Sequence, residues 1–424
     1  MGALPWQEDR VKRPHIDFNG GFSVRYASIT DRLADLGSGR WALHATARRM
    51  KAEGQPIIEL TIGEPDLPPH EDLLAECSRA MYAGRTRYSN GRGEPAVLKA
   101  LIAKYSKRRP GVSEKNFLCF PGTQSALYAV MMGLAEAGDG VLVGDPLYAT
   151  YEGVIASTGA HLIPVPLRPE HRFHMQAEDL ERAVTPEARV LLLNTPHNPT
   201  GAVLTGQEIA AIGAICKKHD LWIVCDEVYE QLIFGDAFAS PFDMPELAER
   251  TIVVSSISKS HAAPGFRSGW AAGPEEFCEK LLPVSETMLF GVQPFISDMT
   301  ALALSRPFET AGIMRDNYSR RAAIVQKTLA GSNLLKPMMP EGGMFVVVDV
   351  TATGLGGADY AWELLRKEQV AVMPGSSFGH QAAGFIRISL TVPDDVLEEA
   401  VRRMANLAGR LAAMPAEERA HLGA

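Results

Sequence analysis

From residue 117 onward the hydrophobic residues gather in short runs, at 117–120, 141–143, 161–167, 190–193, 221–225 and 251–254, interrupted only by His161, two prolines in the third run and Thr251. Runs that are apolar at every position belong to strands buried on both faces. Between several of them the spacing changes to that of a helix, over 125–135 and 206–219. Strand and helix repeated in this order predict a doubly wound, mostly parallel sheet between layers of helices, an α/β fold.

The pattern differs on either side of this block. A helix is predicted over 40–54, stopped by Gly54, and a short strand over 57–60 runs into the breaker turn Gly63-Glu64-Pro65-Asp66. Amphipathic helices follow at 73–83 and 94–108, joined by the glycine-rich loop from Arg87 to Gly93. Beyond residue 280 the chain reads as helical. The segments 295–304 and 315–329 carry heptad-like spacing and are expected to cross between domains. Strands at 343–349, 370–374 and 385–390 alternate with helices at 360–368 and 396–412, a smaller α+β unit on which the chain before residue 62 should pack. The domains expected are an N-terminal arm contributing to the small domain (1–62), a large domain (63–305) and a C-terminal small domain (306–424). The first 30 or so residues read as an extended arm.

Composition narrows the function classes. A net charge of -8 argues against nucleic acid as a partner, and the basic stretch 104–109 reads as a solvated helix end. Cys77, Cys119, Cys216, Cys225 and Cys278 are odd in number and contain no C-x-x-C pair, which argues against disulfides and a zinc site. No apolar leader, lipidation signal or membrane-length run is seen, so a cytoplasmic protein without membrane contact is expected.

In open α/β sheets ligands bind beyond the carboxyl ends of the strands. There the chain carries G-T-Q, D-P-L-Y, N-T-P-H-N-P-T-G, D-E-V-Y and S-I-S-K, which would meet on one rim. The last of these belongs to S-S-I-S-K-S-H-A-A-P-G-F-R. It sets an amine, Lys259, beside hydroxyl donors and the planar cation Arg267. A reactive lysine beside a phosphate cradle is what a pyridoxal phosphate Schiff base needs; a solvated lysine in a serine-rich loop explains the stretch equally well. Gly122-Thr123-Gln124 at a helix start suits a phosphate, although many strand–helix turns carry glycine. Asp226, at the end of a buried strand, suits a pyridinium N–H or an ordinary arginine partner. Asn198 and Tyr229 could donate to the cofactor's phenolic oxygen, or be an Asx-turn and a core residue. Tyr148 could stack on the ring or simply pack. His197 and His261 read as loop donors rather than catalysts.

Taken together, H-N-P-T-G, D-E-V-Y and S-x-S-K-x(7)-R, in that order, resemble the class I aminotransferases, the fold-type-I pyridoxal phosphate enzymes. The resemblance runs from about Arg40 to Ala412. Through K-H-D-L-W, D-E-V-Y-E-Q-L, S-K-S-H-A and G-G-M-F-V-V-V-D it is most similar to bacterial arginine–pyruvate aminotransferases. It implies a seven-stranded sheet in the large domain, and a homodimer with shared active sites. The implied activity moves an α-amino group from an L-amino acid, arginine or another non-acidic one, to a 2-oxo acid such as pyruvate.

The resemblance also implies roles. Lys259 would form the Schiff base and then move the substrate proton, Asp226 would keep the ring nitrogen protonated, and Tyr229 and Asn198 would hold the phenolic oxygen. Gly122, Thr123, Gln124, Ser256, Ser258 and Arg267 would hold the phosphate, with Tyr148 stacked on the ring. Tyr88 would reach the phosphate of the neighbouring subunit. Gly63 and Asn198 would flank the substrate, and Arg387 would clamp its α-carboxylate. Pro264-Gly265-Phe266 departs from the Thr-Gly-Trp usual before the phosphate arginine, and Phe290 stands near where aspartate-specific members carry a second carboxylate-binding arginine. A carbon–sulfur β-lyase of the same fold is the nearest rival. A transcription regulator with an aminotransferase-like domain is disfavoured, because the residues before Trp41 leave no room for a winged helix.

Overall fold

The computed structural model describes residues 26–420 and 422, apart from 35, 37, 38, 236 and 237. Most of the segment read as an extended arm lies outside them, but its end is the helix α1 (Ser28–Ala34). In chain order there follow α2 (Ala42–Ala52), β1 (Ile58–Glu59), α3 (Glu71–Tyr82), α4 (Pro95–Tyr105), β2 (Phe117–Phe120) and α5 (Gly122–Leu134). Then come β3 (Gly140–Asp145), α6 (Tyr151–Thr158), β4 (His161–Pro166), α7 (Ala177–Ala183), β5 (Ala188–Asn194), α8 (Gly206–Lys218), β6 (Trp222–Asp226), β7 (Thr251–Ser256) and β8 (Gly269–Ala272). The chain closes with α9 (Glu275–Leu289), α10 (Pro294–Ser305), α11 (Thr310–Leu329), β9 (Lys336–Met338), β10 (Phe345–Asp349), α12 (Gly357–Glu368), β11 (Val370–Ala371), β12 (Met373–Pro374), β13 (Phe385–Ser389), α13 (Asp394–Ala413) and α14 (Ala416–Ala420).

Seven strands form one sheet in the order β2-β8-β7-β6-β5-β3-β4. The six apolar runs supply all but β8, which lies antiparallel between β2 and β7 while the remaining pairings are parallel. β8 reads Gly-Trp-Ala-Ala, with little of the β-branched content that marks a strand, and is held by its two neighbours instead. A Cβ on its Gly269 would lie 2.7 Å from the carbonyl carbon of Gly122 and 2.9 Å from the amide of Thr123, so glycine lets the start of α5 settle on the sheet.

Alternate side chains of the sheet feed two cores. Leu142, Leu191, Leu193, Ile223 and Val253 pack with α4, α8 and α10, whereas Val143, Leu192, Val224 and Val254 pack with α5, α6 and α9. Burial on both faces is why these strands read as continuous apolar runs. A third core joins Leu43, Ala47, Ile57 and Leu60 to Met314, Leu364, Ile388 and Leu397.

Two expectations change. The run 370–374 is two strands: β11 pairs with β1, while β12 joins the four-stranded antiparallel sheet β12-β13-β10-β9. α10 packs on α3 and α4 and α11 on α13, so the crossing falls between these helices, at 306–309, and not along either. Among the described residues no helix is long and apolar enough to cross a membrane. All five cysteines are buried and unpaired.

Candidate active site

The parallel strands β3, β5, β6 and β7 end on one rim at Asp145, Asn194, Asp226 and Ser256, with Asn194 in direct register with Asp226. Above this rim lies a cleft of about 330 Å³. Its wall contains Gly63, Thr123, Gln124, Tyr148, Asn198, Asp226, Tyr229, Ser256, Ser258, Lys259, Arg267 and Arg387, drawn from both ends of the chain. Of the residues predicted for the site, two stand apart. Gly122 lies beneath the cleft, and Tyr88 is 87% exposed on the outer surface, edge-on to Phe290. Phe290 is itself exposed and forms no part of the cleft wall of its own chain.

One end of the cleft is built for an anion. α5 begins at Gly122, three residues before the periodicity places it, so Thr123 and Gln124 lie in its first turn, where unpaired amides and the positive helix end face the rim. Gly122 has φ +82°, and a Cβ there would meet the Arg267 guanidinium at 2.2 Å. Arg267 is presented by the Pro264–Phe266 turn and itself sits at φ 51°, its Nη1 donating to the Pro264 carbonyl at 2.8 Å. The departure from Thr-Gly-Trp is thus absorbed in a short helical turn, with Pro264 on the cleft wall and Phe266 packed on the core beneath. Thr123 Oγ1 is buried without a hydrogen-bond partner, a donor waiting for an acceptor.

Asp226 closes the floor. Its Oδ2 accepts from the Tyr151 hydroxyl at 2.9 Å and its Oδ1 from the Val228 amide at 3.2 Å. Burial outweighs both and pushes its carboxyl up to about 6, the state of a carboxylate that gains from a cationic N–H partner. Asn194 donates to the Asp226 carbonyl and accepts from the Asn198 amide, fixing the N-P-T-G loop against the strand.

Lys259 is part-buried and donates from Nζ to the Gly63 carbonyl at 2.5 Å. Burial lowers its amine to about 8; the charges of Arg387 and Arg267 add to the lowering, and Glu64 opposes it. Arg387 is buried between the rings of Phe345 and Phe378, its central carbon 4.0 and 4.5 Å from their centroids. Nη1 donates to Asn198 Oδ1 at 2.9 Å and Nη2 to the Thr61 carbonyl at 2.5 Å, while Nε is buried without a partner. Desolvation lowers this guanidinium to about 10. Tyr229 is buried beside Asn198, and burial raises its phenol, keeping it a neutral donor. His197 and His261 are turned elsewhere, to Thr200 and to the Ala303 carbonyl, and burial holds both down to about 4.

The chain matches the Aminotransferase class I and II family over residues 55–404. The chain belongs to that family. It is 40% identical over 390 residues to the arginine–pyruvate transaminase of Pseudomonas aeruginosa, covering 92% of this chain and 99% of that one. It is 32% identical to an aspartate aminotransferase of Musicola paradisiaca, over 85% of this chain and 92% of the relative. The crystal structure of the aspartate aminotransferase from Rhizobium meliloti superposes with a TM-score of 0.86 at 28% identity, covering 92% and 100% of the two chains. The fold is therefore that of the fold-type-I aminotransferases, and the protein is a pyridoxal phosphate-dependent transaminase acting on an amino acid and a 2-oxo acid. The cleft fits that cofactor. The orphan Thr123 Oγ1 and the Gly122 cradle under Arg267 suit its phosphate, and the buried Asp226 suits its ring nitrogen.

The sequence pattern did not reveal Tyr151, Asn194, Thr61, Trp41, Phe345 and Phe378. Tyr151 left a trace as a second aromatic three residues after Tyr148, and Asn194 as the first residue of the strand-end stretch N-T-P-H-N-P-T-G.

Proposed function

We propose that this aminotransferase takes arginine, or a similar non-acidic L-amino acid, as donor and pyruvate as acceptor, and that it works as a cytoplasmic homodimer. The observation that carries the reading is one cleft in which a part-buried amine of lowered proton affinity, Lys259, shares the wall with a buried guanidinium that has an unpaired N–H, Arg387. Support for the donor comes from the cleft wall: its other arginine, Arg267, belongs to the phosphate end, so a second carboxylate finds no clamp on this chain.

Pyridoxal phosphate, when bound, supplies a ring that draws off the electron pair left when the substrate Cα–H bond breaks. The residues divide the remaining work. Thr123, Gln124, Ser256, Ser258, Arg267 and the first-turn amides of α5 would hold the phosphate. Asp226 would accept a hydrogen bond from a protonated ring nitrogen, Tyr229 and Asn198 would donate to the phenolic oxygen, and Tyr148 would pack on the ring. Arg387 binds the substrate α-carboxylate through Nε and a terminal N–H, beside Gly63 and Asn198. Lys259 Nζ takes the proton from the substrate α-carbon and returns one on the far side of the transfer. A second subunit is supported by the exposed apolar surface at Tyr88, Val284, Met288 and Phe290, from which Tyr88 would reach the partner's phosphate.

A panel of amino donors against pyruvate and 2-oxoglutarate, followed by half-reaction spectra, tests the reading. Arginine with pyruvate should rank first. Preference for aspartate or glutamate with 2-oxoglutarate would overturn the donor class. Release of pyruvate from cysteine conjugates without an acceptor acid would favour the β-lyase.

A further inference from the structure

The cleft wall changes character from its inner to its outer end. Lys259, Arg267 and Arg387 make the inner part cationic, and Asp226 is engaged by Tyr151 and the Val228 amide. The other carboxylate on the wall is Glu64, which is exposed and has no ion-pair or hydrogen-bond partner among the described residues. Its place follows from the backbone. The Thr61 carbonyl accepts from Arg387, the Gly63 carbonyl accepts from Lys259, and Glu64 is the next residue, so the segment 61–64 runs from the carboxylate clamp past the reacting amine to a free carboxylate. A substrate held at Arg387 and Lys259 therefore shares its cleft with an unpaired negative charge.

The same wall carries an indole. Trp41, half-buried at the N-terminal end of α2, lines the cleft, as do Ile62, Tyr148 and Phe345. Its position is fixed from both sides. The preceding Arg40 is ion-paired with Glu152 of α6, and its carbonyl accepts from Ser377 Oγ at 3.0 Å. The indole is edge-on to His44, which bonds Thr61 Oγ1 at 2.8 Å. A carboxylate for charge and an indole face for stacking suit a planar delocalised cation better than a compact ammonium.

We propose that Glu64 and Trp41 form the side-chain subsite of the cleft and select an amino donor ending in a guanidinium. This rests on the reading of the cleft as a transaminase site in which Arg387 takes the α-carboxylate. Glu64 supplies the charge contact and Trp41 the stacking face. Discrimination then lies in the charge of the terminal group, because the hydrocarbon stem crosses apolar wall.

The test compares arginine with citrulline, its uncharged isostere, in half-reactions of the wild type and of Glu64→Gln, Trp41→Leu and Trp41→Phe. The arginine-over-citrulline ratio in kcat/KM should fall about 10- to 100-fold in Glu64→Gln, the range for one charged hydrogen bond. It should fall several-fold in Trp41→Leu and be largely kept in Trp41→Phe. An unchanged ratio, with both substrates slowed together in Glu64→Gln, would overturn the subsite and show Glu64 acting through Lys259. Calorimetry on the same proteins with the deaminated acids guanidinopentanoate and ureidopentanoate gives a readout free of turnover. The wild type should bind the guanidino acid at least tenfold more tightly, and equal binding would overturn the proposal. If no amino acid gives a half-reaction, the transaminase reading fails at this site, while the calorimetric contrast still decides the subsite.

Discussion

Lys259 is an amine whose surroundings work against its own charge. Burial, Arg387 and Arg267 together bring it to about 8, so near neutral pH a useful share of it carries a free lone pair. Lys259→Ala should lose both turnover and the visible absorption of the cofactor-loaded enzyme; a variant that keeps both would refute the assignment. At Arg387 the two phenylalanine faces and the Asn198 and Thr61 acceptors leave Nε without a partner, the donor proposed for the substrate carboxylate. Removing a buried charged donor costs about 2–4 kcal/mol, so Arg387→Ala should lower kcat/KM by roughly 30- to 1000-fold. Amino and oxo acids should suffer alike, and an effect on only one in steady-state kinetics would count against a shared clamp. These side chains were legible in the sequence because Lys259 follows an apolar strand and Arg387 is the one charge within another. Their partners were not: Thr61 acts through its carbonyl, which any residue possesses.

The first turn of α5 is the element on which the proposed phosphate site depends. Its glycine is required twice, by φ +82° and by the guanidinium lying where a Cβ would go. Gly122→Ala must strain the backbone by about 1–2 kcal/mol and displace Arg267. Titration of the apoenzyme with pyridoxal phosphate should show affinity at least about tenfold weaker. Unchanged affinity would mean that the phosphate does not rest on this turn. Elements with strong periodicity, such as α8 and β5, fell close to their predicted spans. β8 did not, because its pairing on both sides, and not its composition, makes it a strand.

At the scale of the molecule, one histidine joins separate elements over the N-P-T-G loop. His174 bonds Glu208 of α8 through Nδ1 at 2.8 Å and Glu341, just before β10, through Nε2 at 2.9 Å. Glu341 also pairs with Arg172 at 2.9 Å and accepts from the Val203 amide, and the Gly201 carbonyl accepts from the amides of Glu341 and Gly342. With carboxylates on both ring nitrogens, the charged imidazole is favoured and its pKa is raised above 6.5, chiefly by the bond to Glu341. Those of Glu208 and Glu341 are lowered below 4.5, although burial opposes it. A raised histidine stabilises fully below its unfolded value and loses that contribution as pH rises through the folded one. Lowered carboxylates stabilise above theirs and lose the contribution as pH falls. The clasp is therefore strongest between pH 4.5 and 6.5. His174→Gln should lower thermal stability most in that window, by about 1.5–3 kcal/mol, with the difference shrinking at alkaline pH in melting curves. A pH-independent difference would assign His174 to packing alone.

By itself the sequence determined the layered α/β fold, the rim where ligands gather, and the polar residues on it, because burial on two faces and strand-end placement are local patterns that survive in one dimension. Tertiary structure alone decided which groups share a space. Arg387 meets Asn198 and Thr61 from distant parts of the chain, the Tyr151 hydroxyl donates to Asp226, and Trp41 and Glu64 line one cleft. Such meetings depend on how the two ends of the chain pack against the large sheet, and hydrophobic periodicity carries no record of that distance.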